Sequence, residues 1–267
     1  MRLYIKNYSS YRSDIDNIDV KKELKQKYKI DTRRQDKFIH LATYGAQLLK
    51  DKVEINSDDE LYVTSGVGNI DIIQKTNTYM YEQNQTLKLF DFINLLGNTT
   101  SYYVASSLGI KGKNIFQISD NFTYINTLLS LYSSINYSKK DAILCSIDLV
   151  SSPTEIMKRV LDLKEDSELV SSVNYQKFSL NKDNAIASLD FDIKSYTLDE
   201  IKEFLLSNDC EIIVSNRCKS LEFEKDSKFF ETMASGAVNK AIKNGEKMIY
   251  IDCFNDKYKM LKIESIK

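Results

Sequence analysis

The sequence holds one histidine in 267 residues, His40, one proline, Pro153, and no tryptophan. A single imidazole excludes any mechanism that draws two histidines from this chain. Glycine is scarce too: eight residues in the whole chain cannot supply a tight, glycine-rich catalytic lining. The four cysteines, Cys145, Cys210, Cys218 and Cys253, lack the CxxC spacing of a zinc site or redox motif. Three sit in apolar or strand-like runs, so the expectation is buried free thiols in a reducing compartment. No excess of either charge sign is present: 37 basic and 38 acidic residues leave a formal net charge of −1. That balance gives no global basic field for nucleic acid and no acidic tail. No segment approaches the ~18 consecutive apolar residues of a membrane span, and MRLYIKNYS has no signal-peptide apolar region. The chain is therefore placed in the cytoplasm, away from membranes and nucleic acid.

What is present is alternation of helical and strand-like patterns over a chain that is 42% hydrophobic, enough for one large core or two small ones. A short strand is expected at Leu3 to Ile5. Phe38, Leu41, Ala42, Gly45, Leu48 and Leu49 then recur at helical spacing. LYVTSGVGN (Leu61 to Asn69) reads as a buried strand ending in a glycine turn. A helix follows from about Phe90 to Leu108, interrupted near Gly97, then a strand over Ile115 to Ile118. The next helix carries Ile125, Leu128, Leu129 and Tyr132 on one side, and Ala142 to Ile147 is a continuous apolar strand. From Pro153 to about Phe178 the chain is more charged and weakly patterned, which suggests a surface excursion. Beyond it, Ala185 to Phe191 and Glu211 to Ser215 read as strands and Leu198 to Leu206 as a helix. Met233, Ala234, Ala237, Val238 and Ala241 form a helical stripe stopped at Gly245, and a hairpin closes the chain around Asn255 and Asp256. Helices alternating with apolar strands argue for a layered α/β protein.

The stretch GIKGKNIFQISDNFT, Gly109 to Thr123, carries the most information. A helix ends in a glycine phrase, a short strand follows, and a strand-to-helix turn comes next. This resembles the lead-in to the nucleophilic cysteine of the β-ketoacyl synthases, in the thiolase-like superfamily. TRRQDKFIHLATYGAQLL, LYVTSGVGN, LFDFINLLGNTTSYYVASSLGIKGKN and ILCSIDLVSSP resemble further phrases of that family. They occur in the family's order over residues 33 to 153. The resemblance implies a compact thiolase-like α/β/α/β/α fold of two pseudo-equivalent halves, residues 1–153 and 154–267.

By the same resemblance, Asn121 stands at the cysteine position. CEIIVSNRC puts Asn216 at the first family histidine, and KDSKFFETMASGAVNKAI puts Phe230 near the second while keeping Lys225 and Gly236. The family's glycine-rich closing loop is replaced by CFNDKY. An amide cannot attack a thioester, and each lost donor to the developing oxyanion raises a barrier by on the order of 3 kcal/mol. The resemblance thus implies a degenerate, catalytically inactive subunit, comparable to chain-length factors, with no cofactor. Its partner would be an active ketosynthase or a second copy of this chain, and acyl carrier protein a further candidate. The strand with Ile115, Phe116 and Ile118 would lie at the dimer edge, and Asp120, Asn121, Phe122, Thr123 and Lys225 around the old pocket.

Other readings stay open. Ser119, Asp120 or Thr123 could act as a different nucleophile in an acyltransferase or hydrolase, although without a base nearby Ser119 and Asp120 read better as helix caps. Cys218 follows Arg217, which would favour a thiolate, yet a lone cysteine after a strand reads as a packing residue. A self-associating scaffold that binds acyl carrier protein is a third reading. SGVGN is a weak match to a dinucleotide turn, and the 17 tyrosines and 12 phenylalanines, without an interleaved basic stripe, read as core and interface.

Overall fold

The computed structural model describes residues 1–206, 210–225 and 228–266. In the first half, β1 (Arg2–Arg12) leads through α1 (Val20–Gln26) to α2 (Lys37–Lys50) and β2 (Glu60–Ser65). Then come α3 (Ile70–Asn77), a π-helical turn (Thr78–Glu82), α4 (Leu89–Leu95), α5 (Gly97–Leu108) and β3 (Asn114–Ile118). α6 (Thr123–Ser138), β4 (Ala142–Asp148), α7 (Thr154–Val160), β5 (Glu168–Leu169) and β6 (Ser172–Ser179) follow. The second half runs β7 (Ala187–Phe191), α8 (Leu198–Leu206), β8 (Glu211–Val214) and β9 (Lys228–Phe229). It closes with α9 (Met233–Asn244), β10 (Lys247–Phe254) and β11 (Lys257–Ser265).

Nine strands form one sheet in the order β3-β2-β4-β6-β1-β7-β11-β10-β8, and β5 pairs with β9 separately. The order is a near mirror about the antiparallel β1–β7 pair. Moving outward on one side come β6, β4, β2 and β3; on the other come β11, β10 and β8. The second side has no described counterpart of β3, because only the short β9 lies between β8 and α9.

Side-chain alternation along these strands builds the layers. Leu61, Val63, Ile143, Cys145 and Ile147 pack into an outer core with α2 and α5, while Tyr62, Ala142 and Leu144 face a central core. That central core also takes Ile125, Leu128 and Leu131 of α6 and Met233, Val238 and Ala241 of α9. From the other half, Met248, Tyr250, Leu261 and Ile263 point into it, whereas Ile249, Ile251 and Cys253 turn outward beneath Ile201 of α8. The result is the layered α/β/α/β/α arrangement, with α6 and α9 as the inner layer.

The helices start and stop where local chemistry dictates. Asp36 caps α2 by accepting from the Ile39 N–H at 2.9 Å. Gly245, left-handed at φ 72°, ends α9 as expected. The helix over 90–108 is split at Leu96 into α4 and α5. His40, the one histidine, is buried in α2 within hydrogen-bonding distance of the Thr32 carbonyl at 3.2 Å, and burial lowers its pKa.

Two expectations fail. The opening strand runs to Arg12, not Ile5, and the surface excursion over 154–169 ends short of Phe178, because β6 is buried along its whole length between β4 and β1. Its polar residues have polar partners inside the fold: Gln176 donates to Asn239 Oδ1 at 2.7 Å, and Asn239 donates to the Ser9 carbonyl at 3.0 Å. Lys177 reaches Asp59 at 2.8 Å. A strand that buries polar groups against polar groups has no apolar run to betray it. Among the described residues no helix is long and apolar enough to cross a membrane.

Candidate active site

Four strand and helix ends meet where β2, β3, β4 and α9 converge. β4, apolar but for Ser146, ends in Asp148, which is 1% exposed and accepts from four donors. Ser65 Oγ and the Gly66 N–H reach its Oδ1 at 3.1 and 3.0 Å, and the Thr232 N–H and Oγ1 reach Oδ2 at 2.7 Å each. Burial pushes its pKa above the ordinary carboxylate value, with these donors opposing. Asp148 thus ties the SGVGN turn of the first half to the start of α9 in the second.

Glu231, beside Thr232, enters the same junction. It lies over Gly66 so closely that a Cβ there would come within 2.1 Å of its Cγ, which is the physical demand for glycine in that turn. Its carboxylate pairs with Arg217 at 2.8 Å and accepts from Thr123 Oγ1 at 3.2 Å. Burial holds Glu231 well above the usual carboxylate range, Arg217 opposes this, and Asp252 and Asp148 add to it. Arg217 also donates to the Asp120 carbonyl at 2.6 Å, so it bridges the strand-to-helix turn of the first half to α9.

The turn itself is ordered by its own polar groups. Ser119 Oγ donates to the Asn121 carbonyl at 2.7 Å, and the same carbonyl accepts from Asn126 Nδ2 at 3.0 Å. Asn121 Nδ2 donates to Asp120 Oδ1 at 3.0 Å. The left-handed residue of the turn is Phe122, φ 46°, whose ring packs edge-on to Phe254 with centroids 6.5 Å apart. Neither Ser119 nor Asp120 caps α6; its N-cap residue is Phe122, with no side-chain cap bond, which corrects the capping expectation.

A cavity of about 730 Å³ opens beside this turn. Asp120, Asn216, Arg217, Lys225, Cys253 and Phe254 are among the residues that line it. Of the residues marked from the sequence, it brings together Asp120, Asn216 and Lys225, with Asn121 next to Asp120. Asn216 Oδ1 is buried without a partner among the described residues. Phe230 does not line the cavity: it is 2% exposed, lies under the Arg12 guanidinium at 5.5 Å and packs on Gly236. Thr123 faces Glu231.

Among the described residues β3 has a single strand neighbour, β2, which leaves one edge open. Ile115 packs toward the central core and Phe116 toward the outer one, against Phe38 at 6.4 Å, while Ile118 is exposed. Exposed apolar side chains lie on β3 and on the helix packed beside it: Ile118 is 55% and Tyr102 of α5 is 64% exposed.

Sequence reasoning passed over Asp148, Glu231, Thr232, Cys253 and Asp252. Asp148 had a signal, a carboxylate closing an otherwise apolar strand. Glu231 had none, since its role depends on a glycine 165 positions earlier in the chain.

No protein-family model matches the sequence, and no curated protein is similar to it in sequence. Solved structures are similar over the full chain. A chain of the ishigamide ketosynthase/chain length factor has a TM-score of 0.76 at 9% identity, covering 100% of both chains. The ketosynthase ApeO in complex with its chain length factor ApeC, from Xenorhabdus doucetiae, gives 0.61 at 8% identity, over 98% of this chain and 99% of that one. The 3-oxoacyl-(acyl carrier protein) synthase III, FabH, of Pseudomonas aeruginosa PAO1 gives 0.57 at 11% identity, over 100% of this chain and 99% of that one. The chain has the thiolase-like fold, the one seen in ketosynthases and chain length factors.

Proposed function

We propose that the chain is a non-catalytic, chain-length-factor-like subunit that assembles with an active ketosynthase in fatty-acid or polyketide-type biosynthesis. The observation that carries this reading is the β3–α6 turn, which presents Asn121 and Phe122, an amide and a phenyl ring, beside a cavity that no histidine lines. Decarboxylative condensation needs a thiolate to take the acyl chain and donors for the thioester oxyanion and the enolate. Asn121 and Asn216 can donate hydrogen bonds but cannot form the acyl thioester. The open β3 edge and its apolar surroundings support an assembly in which the partner supplies cysteine and histidine and this chain shapes the acyl tunnel. Lys225, at the cavity mouth, is a candidate contact for an acyl carrier protein. We divide the two halves after β6, which pairs among the strands of the first half, and not at residue 153.

The test is intact-mass measurement after incubation with acyl-carrier and coenzyme-A thioesters, alone and co-expressed with a neighbouring ketosynthase. The expected result is no acyl adduct on this chain and a stable complex with the partner. A second reading, an acyltransferase with a different nucleophile, is favoured by one observation, that Cys253 is among the residues lining the cavity. A stoichiometric acyl adduct on Cys253 would replace the first reading with the second.

A further inference from the structure

A second cavity, of about 690 Å³, is lined from α1, α2, α3 and α4 in the first half of the chain. It shares no lining residue with the cavity beside the β3–α6 turn. Buried Tyr11, Leu41, Ile72 and Leu149 supply the apolar part of its lining. The polar part centres on α4, where Asp91 and Asn94, three residues apart, share the buried face while Phe90 and Phe92 stay exposed.

This polar lining is unbalanced. Asp91 is 8% and Asn94 5% exposed, yet Asp91 Oδ2 and Asn94 Oδ1 have no hydrogen-bond partner among the described residues, and neither has Gln35 Oε1 on the same lining. The other polar atom of each side chain is engaged. Lys75 Nζ donates to Asp91 Oδ1 at 2.8 Å, Asn94 Nδ2 to the Arg34 carbonyl at 3.4 Å and Gln35 Nε2 to the Asp31 carbonyl at 3.0 Å. Those bonds fix which end of each amide is oxygen, so all three unpartnered atoms are acceptors. A buried acceptor without a donor is costly, and a bound donor removes that cost. The lining cations do not supply one: Lys75 is held at Oδ1, Arg33 pairs with Asp31 at 2.6 Å and Arg34 lies over the Phe90 ring at 4.9 Å. His40 faces the Thr32 carbonyl, and Lys21 and Lys37 are exposed. An anion would meet these oxygens lone pair to lone pair. Among the described residues no three carboxylate, imidazole or thiol groups stand together as a metal ion would require. What suits the lining is an organic cation with N–H donors.

We propose that this cavity binds a small primary amine in its protonated form, the ammonium group held by Asp91 and Asn94 and an apolar body set against Tyr11, Leu41, Ile72 and Leu149. The three N–H donors of a primary ammonium can serve Asp91 Oδ2 and Asn94 Oδ1 together, and the charge-assisted bond to the carboxylate favours a cation over a neutral donor. The cavity volume lies within the range of small-molecule sites. The inference goes beyond the ketosynthase-like reading and does not depend on it.

The chain has no tryptophan, so Phe90→Trp, at a lining position that is 40% exposed, adds a single fluorescence reporter for this cavity. The experiment is fluorescence titration of that variant and calorimetric titration of the wild-type full chain with phenethylammonium chloride, neutral phenethyl alcohol and anionic hydrocinnamate. The expected result is binding of the ammonium compound roughly tenfold tighter than either of the others, with a fluorescence change in Phe90→Trp. Asp91→Asn keeps the side-chain shape and removes the charge; it should weaken ammonium binding about tenfold and bring it level with phenethyl alcohol. The wild-type titration stands if a variant fails to fold. Equal binding of the three compounds, or none, would mean that ordered water completes these oxygens and would overturn the proposal. Calorimetric binding without a fluorescence change in folded Phe90→Trp, or an affinity that folded Asp91→Asn leaves unchanged, would overturn it too.

Discussion

Arg217 lies close to two buried carboxylates, Glu231 and Asp148, and the half-buried Asp252, each held above its ordinary pKa chiefly by burial. Only Glu231 and Asp252 feel Arg217 directly as a lowering influence. Replacing it with glutamine leaves Glu231, whose side chain is 4% exposed, without its counter-charge. Breaking a buried pair in this way costs about 3–5 kcal/mol. The pH dependence has a definite sign. A carboxyl whose folded pKa is raised stabilises the fold most below its unfolded value, and that contribution is lost as pH rises through the folded value. Arg217 limits the loss, so Arg217→Gln should widen the gap in melting temperature to wild type between pH 5 and pH 8. Thermal melts at the two pH values measure it, and a gap that stays constant would show that Arg217 acts only through packing. Gly66 offers a second test at this scale. Gly66→Ala pushes a methyl group into Glu231 and should cost about 1–3 kcal/mol in denaturant unfolding, the range for overpacking. No measurable loss would mean that Glu231 rearranges freely.

Strand β3 is the element on which the proposed assembly turns. Its unpaired edge is a row of free backbone groups next to exposed aromatic and aliphatic side chains, a surface that a monomer would have to protect. Ile118→Lys, at a side chain already 55% exposed, should leave the melting temperature within about 1 °C while weakening association at least tenfold in sedimentation. A wild-type chain that sediments as a monomer and ignores candidate ketosynthases would remove the basis for the interface. The elements also show what the sequence could disclose. β2, β4 and α2 were legible because their burial is apolar and periodic: Leu61 and Val63 alternate with Tyr62, and Phe38, Leu41 and Ala42 repeat at helical spacing. β6 was not, because Asn174, Gln176 and Lys177 are buried against Asn239 and Asp59, partners that only the fold brings near. The site divides the same way. Asn121 and Asp120 were found from the phrase around them, whereas Arg217 and Glu231 acquire their meaning from a contact with a turn in the other half.

At the scale of the whole molecule, α6 and α9 both pack into the central core, and the cavity is bordered by Asp120 ahead of α6 and Phe229 ahead of α9. A ketosynthase would need its thiol at one of these turns and its imidazoles on the other half. Here the one imidazole is His40, held against Thr32 in the outer layer of the first half. Asn121→Cys would return a thiol to the start of α6, where the helix dipole favours the thiolate, and slow acylation of that thiol is the expected gain. Condensation should still be absent. Asn216 and Phe230 provide no imidazole, Phe230 is turned into the core under Arg12, and the CFNDKY hairpin brings no glycine-rich oxyanion loop. Residues that act as a unit do not contribute additively, so one restored member recovers little. The measurement is self-acylation by intact mass and ketoacyl product formation by the Asn121→Cys chain alone. Turnover near that of an ordinary ketosynthase would show that the second half does hold a catalytic set.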